Sequence, residues 1–154
     1  MLNYLKYDYL RSRVQADFND HTHLYSFKTI KKLINEMCLY FGSSLEGRKA
    51  SFQYHMNIRK HVPIYINSSL VLLEIIPDLW VNYFAIKKVT SSKEKGCYLL
   101  FKDKSSLLLD HSSFILNRFM LIYRFCKMML FNESADHRNP NNSKIAYSFR
   151  DGAY

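Results

Sequence analysis

Cys38-Leu-Tyr-Phe-Gly-Ser-Ser-Leu-Glu-Gly-Arg-Lys-Ala50 is the stretch on which the fold turns, because it joins two segments of different period. On its N-terminal side Ile30, Leu33, Ile34, Met37, Cys38 and Phe41 recur at helical spacing, which predicts an amphipathic helix over about 28–41. Ser26 is the expected N-cap of that helix and Gly42 its expected terminator. Lys28, Lys31 and Lys32 fall on the other side and read as a solvated face. On the C-terminal side Phe52, Tyr54, Met56 and Ile58 alternate with Gln53, His55, Asn57 and Arg59, which predicts a half-buried strand from Ser51. Between the two, Gly42 and Gly47 permit positive φ, Ser43 and Ser44 offer hydroxyls and amides, and Arg48 and Lys49 follow at once. A turn of this composition suits an anion.

Working outward, Met1–Asp20 has no clean period, and Leu24–Phe27 reads as a short strand. Val62–Ile66 and Leu70–Ile76 read as extended segments divided by Asn67-Ser-Ser69, and Pro77-Asp78 ends the second. Leu79–Val89, Cys97–Phe101 and Leu107–Leu109 continue an antiparallel meander. Ser113–Phe131 predicts a second helix, strongly apolar, with Asn117, Arg124 and Lys127 as its narrow polar stripe. Such a helix needs cover on most sides, from the core or from another protomer. Residues 132–154 read as a loop-rich tail in which Ile145–Phe149 docks as a strand. The expected architecture is a single α+β domain over 1–154: an antiparallel β meander with one amphipathic helix (about 28–41) and one strongly apolar helix (about 113–131).

The totals narrow the function. A chain of 154 residues, 48% apolar and 16% aromatic, carries a real core and is too rich in Tyr and Phe for disorder. Lys and Arg number 22 against 13 Asp and Glu, a net charge of +9, which fits an anionic partner such as nucleic acid. The excess concentrates in residues 27–60, where seven basic side chains face only Glu36 and Glu46. Cys38, Cys97 and Cys126 are odd in number, widely spaced and in apolar context, as expected of buried thiols in a reducing cytoplasm. Lys6, Asp8, Arg11 and Arg13 interrupt any N-terminal signal, and Arg118, Arg124 and Lys127 break the longest apolar run, so no membrane partner is expected.

No catalytic residue, metal or cofactor is expected, and the chain does not read as an enzyme. Gly42-x-x-x-x-Gly47 approaches a nucleotide phosphate loop, but Arg48 and Lys49 replace its lysine and magnesium-binding hydroxyl. The run also follows a helix where that loop follows a strand and precedes a helix. His21 and His23 lack further ligands nearby. Ser43 or Ser44 with His137 and Asp136 makes no constrained triad, and Glu36 and Glu46 read as surface charges. What remains is phosphate contact by Arg48, Lys49, Arg59 and Lys60, with Gly42, Ser43, Ser44 and Gly47 shaping the backbone. Two alternatives are single-strand binding with tyrosines stacking on bases, and a protein-interaction module that modulates a full-length relative through mixed dimers.

Phe41-Gly-Ser-Ser-Leu-Glu-Gly-Arg-Lys-Ala50 closely resembles the Phe-Gly-Ser-Ser-x-x-Gly-Arg-Lys-Ala block of the ComK family of bacterial competence transcription factors. Cys38, Tyr40-Phe41, Pro63-Ile-Tyr-Ile66 and Asp136-His-Arg-Asn-Pro140 are similar to further parts of that pattern. The resemblance implies a transcriptional activator of DNA-uptake genes. It would bind AT-rich boxes of duplex DNA through the minor groove as a dimer or a dimer of dimers, in the cytoplasm at the nucleoid. It places DNA contacts at Arg48 and Lys49, with His137 and Arg138 as a second set. It also implies proteolysis through an adaptor and a Clp protease. That contact is not expected here, because the chain is short after the Asp-His-Arg-x-Pro block and lacks the family's longer C-terminal tail.

Overall fold

In the computed structural model, residues 1–92 and 96–136 are described. The elements run β1 (Leu2–Asp8), β2 (Arg13–Phe18), β3 (Thr22–Tyr25), α1 (Ile30–Tyr40), α2 (Leu45–Met56), β4 (Ile64–Asn67), β5 (Leu70–Ile76), β6 (Leu79–Asn82), a single 3-10 turn (Tyr83–Ala85), β7 (Ile86–Ser92), β8 (Gly96–Phe101), β9 (Ser106–Leu109) and α3 (Ser113–Asp136). The architecture is α+β, with every strand pair antiparallel.

The strands form two sheets where one meander was expected. Six strands lie in the order β3-β2-β1-β6-β5-β4, and β7-β8-β9 form a separate sheet of three. The expected strand Leu79–Val89 is therefore two strands in different sheets, broken at the 3-10 turn. Asn82 makes the break. Its side chain is fully buried: Nδ2 donates to the carbonyls of Leu2 at 2.9 Å and Ser69 at 3.1 Å. Its Oδ1 accepts from the amides of Val71 and Phe84, both at 3.2 Å. One amide group thus satisfies β1, β5 and the turn where the chain changes sheets.

Both faces of the large sheet are covered. Val71, Leu73 and Ile75 of β5 point into one cluster with Val81, Leu99, Phe101, Phe119 and Cys126. Leu72, between them, points the other way with Leu5, Val14, Ile30, Leu33, Ile34 and Trp80. Residues two apart share a face of a strand, so this split is the pleat itself. The first face carries the small sheet and α3; the second carries α1. The Tyr4 and Phe101 rings stack at 5.9 Å across the two sheets. Buried Asn3 joins them too, its Nδ2 donating to Asp17 at 3.1 Å and to Asp103 at 2.9 Å.

The N-terminal residues without a clean sequence period are β1 and β2, a hairpin. Helix α1 lies within the expected span, but its N-cap is Thr29, whose Oγ1 accepts from the Lys32 amide at 3.2 Å, and not Ser26. The strand expected from Ser51 is a helix, α2, and Phe52 is its only buried residue. Leu45, Arg48, Phe52 and Met56 mark its inner side, a helical row hidden by the arginine in it. Helix α3 starts where expected and extends five residues past Phe131, to Asp136. Arg118, which interrupts its apolar run, turns inward and donates from Nη2 to the Ile75 carbonyl at 2.8 Å. That carbonyl lies where the β5–β6 register shifts, so the guanidinium serves a group the ladder leaves over. Residues 137–154, with the expected docking strand, lie outside the described residues.

Candidate nucleic-acid interface

The glycine-serine turn links two helices, and the two exchange caps across it. Helix α1 ends in a Schellman motif: Gly42 takes φ +85°, its amide donates to Leu39 at 3.1 Å, and the Ser43 amide reaches Cys38 at 3.0 Å. Added side-chain atoms would meet nothing within 4 Å at Gly42, so glycine is used there for its backbone alone. Ser44 then caps α2, its Oγ accepting from the Gly47 amide at 2.9 Å. Asn35 of α1 accepts through Oδ1 from the Leu45 amide, another first-turn donor of α2, at 2.9 Å. In return Arg48 of α2 donates from Nη2 to the Phe41 carbonyl at the end of α1, at 2.9 Å.

This geometry bears on two residues and on the phosphate-loop comparison. Gly47 does not adopt positive φ; it sits in the first turn of α2, where a Cβ would lie 2.8 Å from Ser43 Oγ and 3.1 Å from Ser44 Oγ. Its reason is close approach. Arg48 is half-buried, its Nη2 is spent on the Phe41 carbonyl, and its Nε is enclosed without a partner. Its main task is to build the turn. The phosphate-loop comparison changes as well, since a helix N-terminus does follow the glycine run, although a strand still does not precede it.

Lys49 is half-exposed and lines a cavity of about 60 Å³ with Lys31 of α1, Glu46, His61, Glu74 and Trp80. The shared cavity brings Lys31 of α1 and Lys49 of α2 to one side of the molecule. His61 Nδ1 lies 3.8 Å from Glu74 Oε1 there. Arg59 and Lys60 are exposed on the segment leaving α2, after Asn57 ends it in the left-handed conformation at φ +53°. Lys28, just before α1, and Lys31 and Lys32, in its first turn, are exposed, and that turn carries no acid. Of the expected contact residues, the structure groups Gly42, Ser43, Ser44, Gly47, Arg48 and Lys49 at the turn, with Arg59 and Lys60 just beyond α2. His137 and Arg138 lie outside the described residues. Sequence reasoning missed Asn35, whose polar side chain on the turn side of α1 was the available signal.

Burial keeps the three thiols neutral, Cys38 beside the turn and Cys97 and Cys126 in the other cluster. Burial pushes the Cys38 thiol up to about 11, against the opposing charge of Arg48. Cys97 is raised by burial and Cys126 reaches about 12 for the same reason. All three are buried free thiols, so none is a poised nucleophile. Phe18 stacks on His21, which pairs with Asp20 at 2.6 Å, while His23 packs on Tyr25 at 4.4 Å. Among the described residues no helix is long and apolar enough to cross a membrane.

A protein-family model described as ComK protein matches residues 5–75, from β1 to β5. No curated protein and no solved structure matches the chain.

Proposed function

We propose, from the match of a ComK family model to residues 5–75, that the chain regulates transcription by binding duplex DNA. In this reading it prefers AT-rich boxes, meets them through the minor groove, and controls competence and DNA-uptake genes from the bacterial cytoplasm. It is a binding protein, not an enzyme. The family match carries the reading, because it spans the whole basic segment from Lys28 to Lys60. The paired helices α1 and α2 give that segment a fixed shape, with Gly42 and Ser43 at the open bend between them. Narrow A·T-rich minor grooves concentrate negative potential, which favours slender cationic elements.

Arg48 holds the bend, so Lys49, Arg59 and Lys60 carry the phosphate contacts and contribute a slope of about −2.7 to log affinity against log salt per protomer. The test is a gel-shift competition among AT-rich duplex, GC-rich duplex and single strands, with a minor-groove drug as competitor. The AT-rich duplex should bind tightest and the drug should displace the protein. Equal or tighter binding of single strands overturns the reading.

Helix α3 supports self-association. Phe114, Leu121 and Met128 are 74%, 66% and 56% exposed, at seven-residue intervals. That is the repeat of one coiled-coil seam position. The proposed occupant is a second copy, since antiparallel pairing sets Leu121 against its own equivalent and Phe114 against Met128, a self-complementary contact. Leu121→Asp should convert a sedimenting dimer to monomer; an undisturbed dimer rejects this seam. A mixed-dimer modulator would show no DNA affinity alone and would change that of a full-length relative.

A further inference from the structure

We propose that the tip of the β1–β2 hairpin is a second DNA-contacting element, in which Leu10 wedges into a base step from the minor groove while Arg11 and Arg13 hold the flanking phosphates. The inference rests on the duplex-DNA reading above and adds a site outside its basic segment. Leu10 is 99% exposed. A lone surface leucine means little by itself; the way this one is held carries the argument.

The tip is built to keep Leu10 outward. Asp8 Oδ1 accepts from the amides of Leu10 at 3.0 Å and Arg11 at 3.2 Å, closing the turn from within. Ser12 takes φ +50°, and Asp8 pairs with Arg13 in the strand register. Tyr9 anchors the other side: its ring meets that of Tyr7 edge-on at 4.8 Å, and its hydroxyl bonds the Asp78 carboxylate in the β5–β6 turn. The Tyr7 amide donates to the Asp78 carbonyl at 3.0 Å. An apolar side chain therefore stands at the apex of a turn braced from two directions.

The surrounding charge fits a polyanion. Arg11, next to the apex, and Arg13, at the start of β2, are both exposed. Both nearby acids are engaged: Asp8 with the turn amides and with Arg11 Nε at 3.8 Å, Asp78 with Tyr9. An open cavity of about 410 Å³ separates the tip from the start of α1, lined by Tyr9 and Ser12 on one side and by Lys28, Thr29 and Lys31 on the other. Aliphatic wedges of this kind partly unstack a base step and kink the duplex, at an energetic cost. That cost is least at flexible pyrimidine–purine steps, so the wedge favours T-A steps within AT-rich DNA.

The experiment uses the full chain and an AT-rich duplex with 2-aminopurine in a central T-A step and a fluorophore pair at its ends. Wild-type binding should raise 2-aminopurine emission and shorten the end-to-end distance. Leu10→Ala should bind about tenfold more weakly and lose both signals, with an unchanged circular dichroism spectrum because Leu10 packs on nothing. Leu10→Lys, which adds charge without an apolar tip, should lose both signals as well. Arg11→Ala with Arg13→Ala should flatten the salt slope by about 1.8. If the wild type binds but both Leu10 variants keep its emission and distance changes, the wedge is wrong and the DNA reading stands. If the wild type does not bind the duplex, both fall together.

Discussion

Arg48 and Lys49 are neighbours in sequence with opposite tasks. The guanidinium is committed to the Phe41 carbonyl, whereas Lys49 lies half-exposed beside Lys31. Arg48→Ala should lower stability by about 1–3 kcal/mol, since it leaves the Phe41 carbonyl without its partner. Lys49→Ala should leave the urea midpoint almost unchanged and flatten the salt slope of DNA binding by about 0.9. Urea titration and salt-dependent gel shifts on the two variants separate these tasks. The role of Gly42 was legible in the sequence, because a glycine after an amphipathic helix has one common use. The direction Arg48 takes was not, because a long cationic side chain snorkels or folds back according to the carbonyls within reach.

Helix α1 was legible because it packs one face against the sheet, which imposes a period of 3.6 on its apolar residues. Helix α2 was not, because it lies beside β4 and buries Phe52 alone. Its inner row contains Arg48, and Phe52, Tyr54, Met56 and Ile58 happen to alternate. Strands β1 and β2 were obscured differently, since both faces of their sheet are covered and half-buried tyrosines blur the alternation. The end of α2 nearest the turn depends on its caps. Ser44→Ala should cost about 1 kcal/mol. Because α1 and α2 supply each other's end groups, hydrogen exchange should speed up in both helices, not in α2 alone. The β8–β9 turn offers a pH test. Asp103 is held below its ordinary value of 3.8, first by the Ser105 hydroxyl and also by Asn3. A depressed folded value means stability is present above 3.8 and lost as pH falls through the lower folded value. Ser105→Ala should shrink that acid-range loss in urea midpoints measured against pH.

At the scale of the molecule, the proposed reading has the basic helices and the hairpin meet one polyanion while α3 meets another copy. The two sheets raise a separate question, because either could in principle melt alone. Asn82 argues against it: one buried amide group holds the first strand, the fifth strand and the turn that leads into the smaller sheet. Asn82→Ala would strand several buried donors and acceptors at once, a loss of about 3–5 kcal/mol. The proposed single domain should then give one endotherm in scanning calorimetry, with calorimetric and van't Hoff enthalpies in agreement. Two resolved heat-absorption peaks would mean the halves melt independently. If Asn82 leaves no hinge where the chain passes from one layer to the other, the thermal fate of the described fold should be shared from end to end.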